Sequence, residues 1–201
     1  MPRGNLDKTK ILEAAAALAN EISVKKLSLK QLAQKLNIQP PSLYNHVQSL
    51  DHLRLDLAAY GWDQAGARIA EALIGVSGDE AIRRACSVFY EYAEENPGVF
   101  EAMVYYNREN RTAGGEPDRL TGILYRLCRA RDIAETDAVH VLRIFRSNIE
   151  GFALLTRHGV FPADETARES FFYGVEFLIA GIRQLERGGA GLPMRGGTND
   201  G

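Results

Sequence analysis

The feature that most constrains this chain is the helical spacing of its apolar residues, which recur at three- and four-residue steps along most of its length. Over about residues 7–21 these positions form one stripe, as in a helix that buries a single face. The same spacing recurs in five later segments, at about 79–95, 97–108, 117–130, 135–158 and 165–186. No segment alternates convincingly between apolar and polar residues as a half-buried strand does. The sequence therefore predicts an all-α fold of about nine helices, three of which form an N-terminal helix-turn-helix domain ahead of a C-terminal helical domain.

Residues 28–47 predict a helix, a tight turn and a second short helix. Ser28 is a favourable N-cap, and Gln31 three residues later completes a capping-box pattern. Asn37 tolerates the left-handed backbone that a tight turn between helices uses. Pro40 then fits the first turn of the next helix, where its missing N–H costs little. This pattern is typical of a helix-turn-helix unit, whose second helix enters the major groove of DNA.

The distribution of charge favours the same interpretation, although the net charge of the whole chain is only −2. All six lysines lie within the first 35 residues, and residues 1–60 carry a net charge of +3. The rest of the chain carries sixteen arginines and twenty-one acidic residues, a net charge of −5. A basic head on an acidic body suggests that only the head contacts a polyanion. Chance clustering of charge on a solvated face is the alternative.

The side chains left outside this unit predict its contacts to DNA. Leu43 and Val47 would face inward, which leaves polar groups free to bind base edges or phosphates. The candidate DNA-binding residues are Lys8, Ser28, Lys30, Gln39, Pro40, Ser42, Tyr44, Asn45 and His46. The alternative is a helical structural or protein-interaction module that binds no specific DNA.

Residues 8–57 resemble the N-terminal DNA-binding domain of TetR-family transcriptional regulators. The resemblance rests on the joint spacing of Ile11-Leu12, Ala14-Ala15, Ser28-Leu29, Leu32-Ala33, Leu36-Asn37-Ile38, Ser42-Leu43-Tyr44, His46 and Leu53. It implies a homodimer that binds a near-palindromic operator in double-stranded DNA, usually as a repressor, and is released by a small-molecule effector. The chain departs from the family pattern at Asn37, where Gly is commonest, at Val47 in place of Phe, and at Leu50, where a phosphate-binding Lys is frequent.

A second stretch, residues 145–161, is similar to the C-terminal domain of a subgroup named for a Trp-His-Gly signature. Gly151 of that signature is present, but Glu150 stands where the His would be. The family resemblance also implies that the last two long helices form a four-helix dimer interface. The candidate interface residues are Ile149, Gly151, Phe152, Leu155, Phe171, Val175, Leu178 and Ile182. Core packing within one subunit is the alternative role for them.

A ligand pocket among the middle helices is also implied. Their aromatic side chains, a Met and a few polar groups suit a mostly apolar cavity with an orienting hydrogen bond. The candidate pocket residues are Phe89, Tyr92, Phe100, Met103, Tyr106, Cys128, His140, Ile144 and Asn148. His140 and Asn148 are the expected polar contacts, whereas Cys86 and Cys128 are expected to be inert buried thiols. Ordinary core packing is the alternative role for each residue taken singly.

Other classes of function have little support in the sequence. It has no Gly-rich phosphate loop, no His-x-x-x-His helix and no nucleophile motif, so we expect no enzyme, cofactor or metal site. No apolar run is long enough to span a membrane and the N-terminus is polar, which predicts a cytoplasmic protein. The expected domains are a DNA-binding domain at 1–52, a ligand-binding and dimerisation domain at 53–187, and a flexible Gly-rich tail at 188–201.

Overall fold

The computed structural model describes residues 6–106, 119–162 and 164–188, which form nine α-helices, one 3-10 turn and no strand. The helices are α1 (Lys8–Ile22), α2 (Leu29–Lys35), α3 (Pro40–Leu43), α4 (Leu50–Ala72), α5 (Gly78–Glu95), α6 (Pro97–Tyr105), α7 (Arg119–Arg129), α8 (Glu135–Arg157) and α9 (Glu165–Gly188). The prediction of an all-α fold is confirmed. The predicted tail lies outside the described residues except for Gly188, which ends α9.

The chain forms two compact units, which differ from the expected division after residue 52. Of the described residues, the first unit contains 6–72, 87–106 and 119–120, and the second contains 73–86, 121–162 and 164–188. The expected boundary would cut the 23-residue helix α4, which packs against both α1 and α6. Helix α6 therefore belongs to the same unit as the four N-terminal helices.

The first unit is interlocked where α1 meets α6. Gly98 lies so close to α1 that an added Cβ would be 1.9 Å from the carbonyl oxygen of Ala19. The side chain of Asn20 accepts hydrogen bonds from the backbone N–H groups of Gly98 (2.9 Å) and Val99 (3.1 Å). These donors have no partner within their own helix, so a residue of α1 caps the N-terminus of α6.

Two further contacts join α6 to its neighbours. Glu101 is only 4% exposed, and its carboxylate accepts a 2.6 Å hydrogen bond from the hydroxyl of Ser23, at the C-terminal end of α1. On the other side, Gly61 of α4 lies against Met103 and Val99, where an added Cβ would come within 2.7 Å of both side chains. Helix α6 is thus packed closely against both α1 and α4.

The second unit combines an apolar core with a network of charges. Helices α8 and α9 pack together, and Phe171, Val175 and Ile182 are buried between them and their neighbours. At the start of α5, the carboxylate of Asp79 accepts hydrogen bonds from Arg131 (2.6 Å) and from Nε of Arg183 (2.7 Å). Burial alone would raise the pKa of Asp79, but these two guanidinium groups hold it below its usual value.

Within the described ranges, no helix combines the length and the apolar character needed to cross a membrane.

The contact between α1 and α6 predicts a strong effect of adding one methyl group. We expect Gly98→Ala to lower the free energy of unfolding by about 3 kcal/mol or more, because its Cβ would overlap a backbone oxygen that cannot move alone. The matched control is Gly122→Ala in α7, where the nearest atom is 3.8 Å away and better helix propensity should leave stability equal or up to about 1 kcal/mol higher. Urea unfolding followed by circular dichroism measures both. Equal stabilities of the two variants would contradict the close contact.

The ion pairs of Asp79 predict acid sensitivity. A carboxylate whose pKa is lower in the folded state stabilises the fold above its unfolded pKa of about 3.9, and that contribution is lost as the pH falls through the folded pKa. Asp79→Asn should therefore cost about 1–3 kcal/mol at pH 7 and flatten the dependence of unfolding free energy on pH below about pH 5. Glu80→Gln is the control, because it removes an exposed ion pair of Glu80 with Arg83. A curve for Asp79→Asn that parallels wild type through this range would refute the assignment.

Candidate nucleic-acid interface

The predicted helix-turn-helix is present, and local hydrogen bonds define its first helix. The hydroxyl of Ser28 caps α2 by accepting from the backbone N–H of Gln31 (3.3 Å), and it donates to the side-chain oxygen of the same residue (2.6 Å). At the other end of α2, Asn37 adopts a φ of +54°, the left-handed conformation expected of it. The N–H of Ile38 donates to the carbonyl of Ala33 (3.0 Å), which closes the turn.

The second helix of this unit is short. Helix α3 ends at Leu43, and the chain continues as a turn through residues 44–46 before Val47. Pro40 and Pro41 occupy its first two positions, where a backbone N–H would have no partner within the helix. The N–H groups of His46 and Val47 both donate to the carbonyl of Leu43, at 2.9 and 3.0 Å. This keeps the turn compact and directs the following side chains outward.

The predicted inside and outside of this segment are both observed. Leu43 is 0% exposed and Val47 is 7% exposed, so they anchor the segment on the core of the first unit. Tyr44 is 59% exposed, which is unusual for a large aromatic side chain in a well-packed domain. The other predicted base-reading residues are also exposed, namely Gln39, Pro40, Ser42, Asn45 and His46. The structure thus brings six of the nine predicted contacts together on one short solvent-facing segment.

The three remaining predicted contacts differ in their surroundings. Lys30 is exposed and forms no ion pair with a described residue. Lys8 is exposed, but its ammonium lies 2.9 Å from the carboxylate of Asp56 in α4. Ser28 is half-buried, and its single hydroxyl hydrogen is donated to Gln31. A phosphate could therefore reach Ser28 only through its backbone N–H.

One basic residue near this surface was missed from the sequence. Lys26 lies in the 3-10 turn just before α2 and is exposed. Its neighbour Lys25 is placed differently, because its ammonium lies 4.6 Å from the centre of the Tyr105 ring. The basic pair two residues before the N-cap Ser28 was the signal that could have identified Lys26.

The predicted ligand-pocket residues divide between the two units, and a single pocket formed by them stays a prediction. Phe89, Tyr92, Phe100, Met103 and Tyr106 belong to the first unit. There the ring centroids of Phe89 and Trp62 lie 5.7 Å apart in a tilted arrangement, and those of Phe89 and Phe100 lie 6.0 Å apart in an edge-on arrangement. Burial also raises the pKa of Tyr92, so its phenol stays neutral at physiological pH. These aromatic side chains serve as packing in the core of the first unit.

The other four predicted pocket residues belong to the second unit. Among the described residues, His140 is exposed and Ile144 is 50% exposed. Asn148 is half-buried beside Gly174, where an added Cβ would lie 2.8 Å from its side-chain nitrogen. Cys128 does line a cavity, which has room for about one water molecule. The other lining residues are Ile82, Leu124, Leu127, Arg131, Ile133, Val141, Leu142, Phe145 and Ile182.

Both cysteines are buried free thiols. Burial raises the pKa of Cys86 and of Cys128, which suppresses the reactive thiolate form. The described residues also contain no group of three or more His, Cys, Asp or Glu side chains placed to hold a metal ion.

The predicted dimer-interface residues divide into a buried and an accessible set. Four of them are at most 3% exposed within a single protomer and so belong to its own core: Ile149, Phe171, Val175 and Ile182. The accessible set is Gly151, Phe152, Leu155 and Leu178. Two further exposed aromatic residues of α9 were not among the predicted interface residues. They are Tyr173 (70% exposed) and Phe177 (68% exposed), whose ring centroids lie 5.3 Å apart.

Comparison with known proteins supplies the family. Residues 82–178 match the family model described as a tetracyclin repressor-like C-terminal domain. The uncharacterized HTH-type transcriptional regulator YobS of Bacillus subtilis is 31% identical over 182 residues, which cover 90% of this chain and 95% of that protein. This chain belongs to the TetR family of transcriptional regulators. The finer resemblance to the Trp-His-Gly subgroup is not confirmed and stays a prediction.

Solved structures share the fold of this TetR-family regulator at low sequence identity. A variant of TetR from Acinetobacter baumannii, in complex with minocycline, gives a TM-score of 0.70 at 21% identity over 90% of this chain and 99% of that one. BioQ with its double-stranded DNA operator gives 0.67 at 18% identity over 89% and 98% of the two chains. These neighbours thus share with this chain the all-helical fold, with a helix-turn-helix head and a helical C-terminal part.

Proposed function

We propose that this TetR-family regulator is a cytoplasmic repressor that binds a near-palindromic operator as a homodimer and is released by a small molecule. The observation that carries the proposal is the row of exposed polar side chains above the buried anchors Leu43 and Val47. A short helix held from below by two apolar residues can enter a major groove without losing its own packing. The acidic remainder of the chain disfavours wider contact with DNA.

The exposed groups divide into two kinds of contact. Gln39, Asn45 and His46 carry donors and acceptors suited to base edges, while Ser42 and the phenol of Tyr44 suit phosphates or bases. Lys8, Lys30 and the backbone N–H of Ser28 would hold the phosphate backbone on either side. Lys26 joins this set as an exposed cation next to α2. Leu50 stands where a phosphate-binding Lys is frequent in the family, so this regulator would rely on its other lysines to bind phosphates.

The exposed faces of α8 and α9 support the homodimer. Asn148 touches Gly174, so the residues one turn away from each lie on neighbouring helix faces. Those faces carry Gly151, where nothing lies within 4 Å of an added Cβ, and the exposed Phe177. Apolar side chains that remain exposed in a protomer are typical of an interface. A second copy related by a two-fold axis would cover Ile144, Leu155, Tyr173 and Phe177.

Release by an effector would act through α6. Because this helix contacts α1 at Gly98 and α4 at Gly61, a displacement of α6 cannot leave the head unchanged. An effector that binds the displaced state more tightly would shift the population away from the operator-binding state.

Removal of two exposed side chains tests the recognition segment. We expect Tyr44→Ala/His46→Ala to weaken binding to DNA from the protein's own upstream region at least about 30-fold, because each of the two lost contacts removes about 1–3 kcal/mol. Fluorescence anisotropy with labelled duplex measures it, and His158→Ala, another exposed histidine, is the control. Equal affinity of the double variant and wild type would exclude this segment as the reader and favour a structural helical module.

A charge placed in the exposed aromatic pair tests the dimer. Phe177→Glu should raise the dimer dissociation constant at least about 30-fold, because a loss of about 2 kcal/mol is typical of a central interface residue. Sedimentation equilibrium measures it, and circular dichroism should show unchanged helicity, since the side chain is exposed in the protomer. Ile74→Glu changes an even more exposed apolar residue just after α4 and should leave the dimer intact. A dimer of wild-type strength in Phe177→Glu would place the interface elsewhere.

A further inference from the structure

The lysines of the head differ in whether a carboxylate already neutralises them. The ammonium of Lys8 lies 2.9 Å from Asp56, and that of Lys35 lies 2.7 Å from Glu21. Lys30 is exposed and forms no ion pair with a described residue. The positive charge available to an incoming phosphate is therefore smaller than the count of lysines suggests.

The pair between Lys8 and Asp56 joins the first residue of α1 to α4. The two residues are 48 positions apart in sequence, and their side chains are 64% and 34% exposed. Exposed ion pairs add little to stability, since water screens them and the side chains lose freedom on pairing. Asp56 is therefore not needed to hold the two helices together, which leaves its effect on Lys8 as its main physical consequence.

We propose that Asp56 is an internal counterion that limits the affinity of this regulator for DNA by occupying Lys8. The inference rests on the proposed function, in which Lys8 contacts a phosphate. To make that contact, Lys8 must exchange a carboxylate for the phosphate or hold both anions side by side. Exchange loses the attraction between Lys8 and Asp56, and holding both anions places the phosphate next to a carboxylate of like charge, which repels it. Either route therefore makes the contact weaker than one from a free lysine.

The pairing of Lys8 with Asp56 predicts how DNA affinity changes with salt concentration. A free lysine that neutralises a DNA phosphate releases condensed counterions, which contributes about −0.9 to the slope of log K against log salt. Lys30 should make this full contribution. The pair of Lys8 and Asp56 carries no net charge, so it should contribute much less. Neutralising Asp56 should restore the full contribution of Lys8.

The test uses the full chain and a labelled random-sequence duplex of about three helical turns, titrated by anisotropy between about 50 and 200 mM NaCl. We expect Asp56→Asn to bind about 3- to 10-fold more tightly at the lower salt and to steepen the slope by about 0.9. Lys8→Ala should change the wild-type slope by less than about half a unit, and Lys30→Ala should reduce it by about 0.9. The double variant Asp56→Asn/Lys8→Ala should lose the whole gain of Asp56→Asn.

The matched control is Glu21→Gln, which removes the same charge from the same head but frees Lys35, a residue outside the proposed DNA contacts. It should change affinity less than about twofold and leave the slope unchanged. Equal gains from Asp56→Asn and Glu21→Gln, or a gain that persists without Lys8, would show a general charge effect and overturn the inference. A wild-type chain that binds no duplex at any salt would overturn the proposed function itself, whereas a normal Lys30 effect without an Asp56 effect would overturn the inference alone.

Discussion

The direct contact between the backbones of α1 and α6 is the constraint on which the rest of the structure depends. Gly98 allows an approach that no side chain could tolerate, and Asn20 fills the gap by capping the end of α6. The buried carboxylate of Glu101 adds a hydrogen bond from Ser23 to the same junction. A head that would otherwise be a separate three-helix domain is thereby part of one packed unit with α4 and α6. In the proposed function, movement of α6 would be passed through this junction to the DNA-binding segment.

The head itself combines a rigid interior with an exposed surface of polar and charged groups. Leu43 and Val47 fix the position of the recognition segment from below, so the exposed Tyr44 is presented to solvent on a firmly anchored backbone. The lysines of the head differ from one another in their pairing. Asp56 of α4 neutralises Lys8 of α1, whereas Lys30 stays available. In the proposed function, this geometry would provide the specificity of the surface, and the pairing of its lysines would set how strongly any DNA attracts it.

Local features of the head were predictable because each depends on residues that are close in sequence. The cap at Ser28 and the left-handed Asn37 follow from short-range hydrogen bonding and sterics. The junction at Gly98 was not predictable, because its partners lie 78 residues away and leave no periodic pattern. The exposed aromatic pair of α9, Tyr173 and Phe177, was also not predicted. Large apolar residues lie on both sides of that helix, so the spacing does not show which side is exposed. A ligand pocket is also hard to predict from the sequence, because aromatic composition does not distinguish a cavity from a filled core.

Selection of binding sites from a random duplex pool, followed by footprinting of the enriched sequences, tests the central claim most directly. A homodimer that presents two copies of the segment from Gln39 to His46 should enrich a near-palindrome. Its two half-sites should be protected in major grooves about 10 base pairs apart, centre to centre. Enrichment of a single asymmetric site, or of no sequence at all, would contradict the account of this regulator as a paired reader of DNA.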